Sequence, residues 1–397
     1  MTIRTTLMLL PMILTSLINS AAAESQEWRL PLKILKTESD LKENKVFSPI
    51  SIAAAFSMSS VGAKGETRTQ LVKVLGLSNT QTELDELFNN FFTLADNASK
   101  KQKSAVAFNF ANSLWPQVDY QINKQFLSSV TSKYRATVKS VDYKNNTETS
   151  RQLINGWVSE NTKEKILNLI PPGVLNPLVR MTLVNAVYFK GKWNKQFDPR
   201  KTKEGDFKAE GGNIKAELMT LQDEFEYAEN DNFQLIQLPY LDEAFSMSLL
   251  LPKSEDSIGE VIRKLDAGEI EQLESLLEKQ KIKVTLPKFK IESGLDLTQT
   301  FKKLGAEAPF IQATADFSGI AGVPHDLFIS AAIHKAVIEV NEEGSEAAAA
   351  TAIIMQLRSM PLKVREFKAD RPFIFVMKKT GSPAVPFFGV VSRPTAD

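Results

Sequence analysis

The chain has 397 residues, 43% of them hydrophobic and 24% charged, with a formal net charge of +1. That balance is ordinary for a globular protein and gives no global bias toward nucleic acid or a membrane surface. Cysteine is absent, which excludes a disulfide scaffold. Packing alone must hold the core, and a chain of this length can build one.

Residues 1–23 read as a secretory signal. Arg4 supplies a basic start, Leu7 to Ile18 is mostly apolar, and Ala21-Ala22-Ala23 is a small-residue cleavage site. A short buried helix is the alternative reading of the same run. The run is too short to span a membrane comfortably, and no later stretch is long enough. The expected organisation is a signal over 1–23 and one domain over 24–397. Asn97-Ala98-Ser99 and Asn145-Asn146-Thr147 are sequons that fit glycosylation in that compartment.

From Gln26 to Leu77 the pattern is helical, interrupted at Val46 to Ser51. Ser48 and Pro49 stop one element there, and Ser51 opens the Ala- and Ser-rich stretch Ile52 to Val61. Helices are predicted over Gln81–Asp96, Ile122–Tyr134 and Thr149–Thr162, with a buried strand over Ala105–Trp115. Strands dominate from Thr182. Thr182–Lys190 comes first, then a hairpin made by FQLIQLPY and AFSMSLLLP, which Pro252 closes. A leucine-spaced helix is predicted over Leu265–Lys279. One strand with a wet face follows over Lys281–Glu292, then an apolar strand over Phe328–Asn341. Arg371–Lys379 and Pro386–Pro394 are the last two strands. With helices early, strands late and no linker or repeat, the fold class is α+β.

The stretch from Glu342 to Arg358, EEGSEAAAATAIIMQLR, belongs to no single element. Its alanines favour a helix, which Ser345 could cap. Its alternation favours a strand: Ser345, Ala347, Ala349, Thr351, Ile353, Met355 and Leu357 are small or apolar, while Glu346 and Gln356 take the other parity. A segment acceptable in solvent, in a helix or in a sheet has the properties of a switch. An amphipathic helix or an Ala-rich linker is the plainer alternative.

Catalytic chemistry is thin. With no cysteine and only His325 and His334, a nucleophile–base pair has two possible anchors, neither in a recognisable motif. No Gly-x-Ser-x-Gly elbow, His-Glu-x-x-His, Walker loop or dinucleotide fingerprint is present. No metal site is expected. His334, among Ala331, Ala332, Ile333 and Val337, reads as a satisfied core residue.

Taken in order, VFSPISIAAAFSM, LVNAVYFKGKW, LPKFKIE, AAIHKAVIEVNEEGSEAAAATA and RPFIFVMKKTGSPAVPFFGVVSRP resemble the serpins, serine protease inhibitors, across nearly the whole mature chain. The hinge wording is most similar to secreted inhibitory serpins of arthropods. The resemblance implies a serpin fold of three β-sheets and about nine helices, with an exposed reactive-centre loop over about 342–366. It also implies a suicide-substrate mechanism. The protease attacks the loop and forms an acyl-enzyme, and the cleaved loop then enters the main sheet as a new strand. The partner is an extracellular trypsin-like serine protease, trapped covalently by a monomer, with neither nucleic acid nor membrane involved. A non-inhibitory carrier or binding protein of the same fold is the alternative.

Counting Glu342 as the first residue, the seventeenth is Arg358, so the resemblance puts the reactive bond at Arg358–Ser359. The following segment is longer than usual, which leaves Lys363 and Arg365 as alternative baits. The hinge is Glu342, Gly344, Ser345, Ala347 and Ala349. Ser48, Ser51, Asn185 and His334 match the polar cluster that controls sheet opening; Trp193, Lys288 and Glu342 match the region where the loop first enters. No cofactor is implied. A polyanion such as heparin stays open, although the helix that binds it in relatives is acidic here (Glu83, Asp85, Glu86). The basic clusters Lys100, Lys101, Lys103 and Arg200, Lys201, Lys203 are the remaining candidates.

Overall fold

The computed structural model of the protein describes residues 26–76, 88–93, 106–241, 243–345, 364–382 and 384–395. At its centre is a helix of small residues, α2 (Pro49–Val61), buried along nearly all its length. Ser48 caps it by accepting the Ser51 N–H at 3.3 Å, and Pro49 takes the first turn, where its missing N–H costs nothing. Ser48 and Pro49 therefore start this helix; the expected start at Ser51 is one turn late. Two of the serines inside satisfy themselves, Ser59 and Ser60 donating to the carbonyls of Ala55 and Ser57, while the buried Ser57 hydroxyl has no partner.

Around α2 lie α1 (Gln26–Thr37), α3 (Gly65–Leu75), helical residues 88–93, α4 (Lys124–Tyr134), α5 (Tyr143–Asn161), α6 (Ile258–Lys264), α7 (Ala267–Glu274) and α8 (Leu297–Lys303). Two predictions shift. Helix α5 gains a first turn from Tyr143, which Asp142 caps by accepting the Asn145 N–H at 3.1 Å; a kink at Asn146 (φ −134°, ψ 46°) separates that turn from the helix expected from Thr149. The helix expected over Leu265–Lys279 is only α7, with α6 before it, since Ser257 and Asp266 each cap a separate start.

The smaller sheet has the order β10 (Phe289–Asp296), β11 (Ala331–Val340), β4 (Met181–Lys192), β2 (Val106–Pro116), β3 (Thr137–Val138), with the two-residue β12 (Gly344–Ser345) against β4. The larger sheet runs β1 (Lys45–Phe47), β15 (Phe387–Val391), β14 (Phe373–Lys379), β8 (Phe245–Pro252), β7 (Phe233–Pro239), β6 (Gly212–Glu229), β9 (Glu278–Pro287), β13 (Arg365–Lys368), with β5 (Lys203–Ala209) on β6. Strand β6 begins against β5, continues against β9 and ends against β7. It thus joins two groups of strands into one hydrogen-bonded network, which is how three expected sheets become two. The single strand expected over Lys281–Glu292 is two, β9 and β10, in different sheets. Pro287 ends the first, and the Lys288 N–H turns to the Glu217 carbonyl at 2.9 Å.

Three apolar clusters order the layers. One joins α1, α2 and α3 to the sheets, one fills the space between the two sheets, and the third lies between the outer face of the smaller sheet and α5. On β4, Val187 and Phe189 face the inter-sheet core while Val184, Ala186 and Tyr188 face α5. Odd residues of β4 point inward and even ones point outward, as a strand requires.

A forked sheet with a latched hinge

Strands β4 and β11 are parallel neighbours from Thr182–Ala331 to Val337–Tyr188, and there their pairing stops. Both strands continue: β4 stays paired with β2 up to Gly191, and β11 with β10 up to Val340. The sheet is therefore a fork. Into its mouth the chain folds back after β11, Asn341 and Gly344 exchanging backbone bonds of 2.8 and 3.3 Å. Gly344 then pairs with Lys192 and Ser345 with Gly191, antiparallel to β4. Only glycine fits position 344, where φ is +146° and a Cβ would stand 2.0 Å from the Gly191 carbonyl oxygen.

The turn is latched on three sides. The Trp193 N–H donates to the Glu343 carbonyl at 2.9 Å, and its indole Nε1–H donates to the Asn341 carbonyl at 3.0 Å. The ring stacks on Tyr240, centroids 4.6 Å apart. The Glu342 carbonyl accepts from Phe197 N–H at 2.8 Å, and its carboxylate accepts from Thr202 Oγ1 at 2.7 Å. Lys288 Nζ lies 3.6 Å from Glu342 and 3.2 Å from Glu217. Burial alone would lower the Lys288 pKa, but the Glu217 hydrogen bond and the Glu342 charge outweigh it, and the pKa is raised. Of the three residues expected where the loop enters, Lys288 and Glu342 pair directly, while Trp193 holds the flanking carbonyls of Asn341 and Glu343. Thr202 and Phe197 complete the latch and carry no sequence signal of their own.

Below the fork, on the inward face, Ser48, Ser51, Asn185 and His334 also meet, all fully buried. His334 Nδ1 bonds Asn185 Oδ1, and its Nε2 accepts the Ser48 N–H at 3.0 Å. Asn185 Nδ2 donates to Ser51 Oγ at 2.6 Å and reaches Asn112 Oδ1. Burial drives the His334 pKa down to about 3, so the ring is neutral with Nδ1 protonated. Asn112 joins the cluster from β2, where it lies directly opposite Asn185; no local motif marks it apart from Asn109 or Ser113 of the same strand.

The other predicted positions fall apart from these. Arg365 opens β13, paired with Ile282, and its guanidinium meets Gln280 at 2.9 Å and Glu229 at 3.8 Å. Asn145 is exposed in the first turn of α5, with its amide donating to Asp142 at 3.1 Å. Arg200 is bound by Asp198 at 2.9 Å. Arg358, Ser359, Lys363, Ala347, Ala349, Asn97 and the Lys100 cluster lie outside the described residues. Among the described residues no group of three metal-ligating side chains occurs, and no helix is long and apolar enough to cross a membrane.

The chain leaves the smaller sheet after Gly344–Ser345 and joins the larger one at Arg365–Lys368. The family profile of serpin (serine protease inhibitor) matches residues 29–394. Leukocyte elastase inhibitor of Xenopus tropicalis is 37% identical over 372 residues, 90% of this chain and 95% of that one. Among solved structures, Serpin48 of the insect Tenebrio molitor is 31% identical with a TM-score of 0.78, covering 94% of this chain and 97% of that chain. Human thyroxine-binding globulin is 28% identical with a TM-score of 0.81, covering 94% and 98%. The chain belongs to the serpin family. It has the α+β serpin fold, and by class it is a serine protease inhibitor, not an enzyme.

Proposed function

We propose that the protein is a secreted, irreversible suicide-substrate inhibitor of an extracellular trypsin-like serine protease. The observation that carries this reading is the pairing of Gly344 and Ser345 with β4 inside the fork, which sets a register for the rest of the loop. Each step forward along the loop meets one step back along β4. Ala347 then lies opposite Phe189, Ala349 opposite Val187 and Thr351 opposite Asn185, all on the inward parity. Small residues at 345, 347 and 349 let the strand advance; a large or charged side chain there would add overpacking or desolvation costs. Thr351 arrives between Asn185 and His334, which are direct neighbours in the intact sheet, and its hydroxyl can replace the bond that insertion breaks.

The protease serine adds to the Arg358 carbonyl, the Arg358–Ser359 bond breaks, and the new amine of Ser359 leaves with a proton. The ester stays on Arg358. Insertion then moves that ester from the latched end of β4 to beyond Met181, roughly 45 Å for fourteen extended residues. Each ladder hydrogen bond contributes about 1 kcal/mol net, and burial of Ile353, Met355 and Leu357 adds about 1.5–3 kcal/mol each. The intact form is therefore held kinetically.

Arginine fits a trypsin-like pocket, where a carboxylate pairs with its guanidinium. The β13 ladder and its polar partners weigh against Arg365 as bait, which leaves Lys363 behind Arg358. Secretion rests on residues 1–23, and Asn97 and Asn145 are then glycosylation sites. The inhibitor acts as a monomer and the mechanism needs no cofactor. Asp198 occupies Arg200, so a polyanion would bind through Lys100, Lys101 and Lys103.

Incubation with trypsin should yield a complex that survives denaturing electrophoresis, and Arg358→Ala should abolish it. Cleavage without a complex would sink the trapping mechanism; unchanged trapping by Arg358→Ala would move the bait to Lys363. The likeness to thyroxine-binding globulin favours a second reading, a carrier whose loop does not insert.

A further inference from the structure

The solvent face of α1 is cationic without interruption. From Trp28 to Lys36 the exposed residues are Arg29, Lys33 and Lys36, and every other residue of that run is buried or half-buried. Spaced four and three apart, the three share one side of the helix and form a stripe roughly 10 Å long at about 1.5 Å per residue. Two ammonium groups at its end are anchored. Lys36 Nζ donates to the Leu265 carbonyl beyond α6 at 2.8 Å, and Lys303 Nζ of α8 donates to the Thr37 carbonyl of α1 at 2.8 Å. Among the described residues Arg29, Lys33, Lys36 and Lys303 have no ion pair. Acidic groups on the adjoining elements are engaged elsewhere. Glu38 pairs with Lys45 at 3.1 Å, Asp256 with Lys264 at 3.1 Å and Glu260 with Arg263 at 4.0 Å, while Asp266 caps α7. A chain with a formal net charge of +1 thus keeps four cations unneutralised along one line.

We propose that this stripe binds a linear sulfated polysaccharide, whose sulfates run along Arg29, Lys33 and Lys36 and on to Lys303. The composition of the face selects that class of partner. It exposes no apolar side chain, so it has neither the core of a protein interface nor a group to enter a lipid surface. Its aromatic residue, Trp28, is buried and offers no platform for stacking a base. A line of cations suits a line of anions, and the counterions released on contact drive the association. The anchored Lys36 and Lys303 lose little side-chain freedom when the ligand arrives. Sulfate as the anion follows from the secreted reading above, on which this choice of partner rests. The surface itself is independent of loop insertion and separate from Lys100, Lys101 and Lys103.

The full-length inhibitor is titrated with a heparin octasaccharide at several salt concentrations. Wild type should bind, with an affinity that falls steeply as salt rises. Arg29→Gln with Lys33→Gln should weaken binding about tenfold at 0.1 M salt and reduce the slope of log affinity against log salt by about two. The control pair Lys279→Gln with Lys281→Gln, exposed on β9, should bind as wild type does. No binding by wild type, an equal loss in the two pairs, or a loss confined to a variant with Lys100, Lys101 and Lys103 changed to Gln overturns the stripe as the site. Desulfated octasaccharide or phosphatidylserine vesicles bound as tightly as heparin overturn the choice of partner. Trapping of trypsin should be unchanged in the α1 pair, so loss of polysaccharide binding leaves the inhibitory reading intact. A wild-type protein that binds heparin but traps no trypsin refutes that reading and upholds the stripe.

Discussion

His334 is neutral in the folded chain, and its surroundings are built for that form. Its protonated Nδ1 donates to Asn185 and its bare Nε2 accepts from Ser48; a proton on Nε2 would face another proton. Burial holds the pKa at about 3, below the ordinary 6.5. Above pH 6.5 neither the folded nor the unfolded chain carries the extra proton, so the contribution to stability is complete. As the pH falls from 6.5 toward 3 the unfolded chain takes up the proton and the folded chain does not. Stability then drops, by at most about 1.4 kcal/mol per pH unit for one group. Carboxylates join only nearer their own pKa values, about 4. Denaturation midpoints at pH 7.5, 6.5 and 5.5 should therefore decline in wild type and in the exposed-site control His325→Gln, and stay flat in His334→Gln. A flat wild-type curve would contradict this assignment. At this scale the sequence was partly legible. Motif resemblance marked His334, Asn185, Ser48 and Ser51, but Asn112 and Thr202 join their clusters only through cross-strand register and chain reversal, which local pattern does not encode.

Two segments carry local backbone constraints, the hinge and the return from α5 to β4. Ser345 opposes Gly191 on the inward parity, so Ser345→Arg would bring a charged side chain to that rung as insertion begins. The expected outcome is a substrate: trypsin should cleave Ser345→Arg at Arg358 without a stable complex, and efficient trapping by the variant would contradict the hinge assignment. In the return segment Lys163, Glu164 and Asn168 all have left-handed φ, 52°, 59° and 49°. Asparagine tolerates that region, while glutamate does so at a cost of about 1–2 kcal/mol. Glu164 is exposed, so Glu164→Gly should raise the melting temperature of the intact protein by about 2 °C; no change, or a fall, would mean that unfolded-chain entropy dominates. Apolar runs made β2, β4, β7, β8, β11, β14 and β15 legible in the sequence. Strands β5 and β6 escaped notice because they are polar on their wet face and short of branched residues. The break between β9 and β10 was hidden in one unbroken alternation, which only Pro287 interrupts.

For the whole molecule, the choice between trap and carrier is a choice about where the free-energy minimum lies. The fork leaves the outer ends of β4 and β11 without each other, and two of the loop's residues already occupy its mouth. Completing the strand would add backbone bonds to both neighbours down to the Thr182–Ala331 rung and cover the apolar side chains of Ile353, Met355 and Leu357. In the insertion reading, the tether at β13 on the larger sheet is what holds the intact form back kinetically. Cutting the loop removes the tether and nothing else. A chain that inserts must then gain heat resistance on cleavage, while a carrier whose loop stays outside keeps the same melting temperature, since hydrolysis of a solvated loop removes no packed contact. Differential scanning calorimetry of the intact protein and of protein nicked at Arg358 reads this directly. A rise of many degrees is the expected outcome. Coincident transitions would favour the carrier and would assign the hinge pairing at Gly344 and Ser345 a purely structural role.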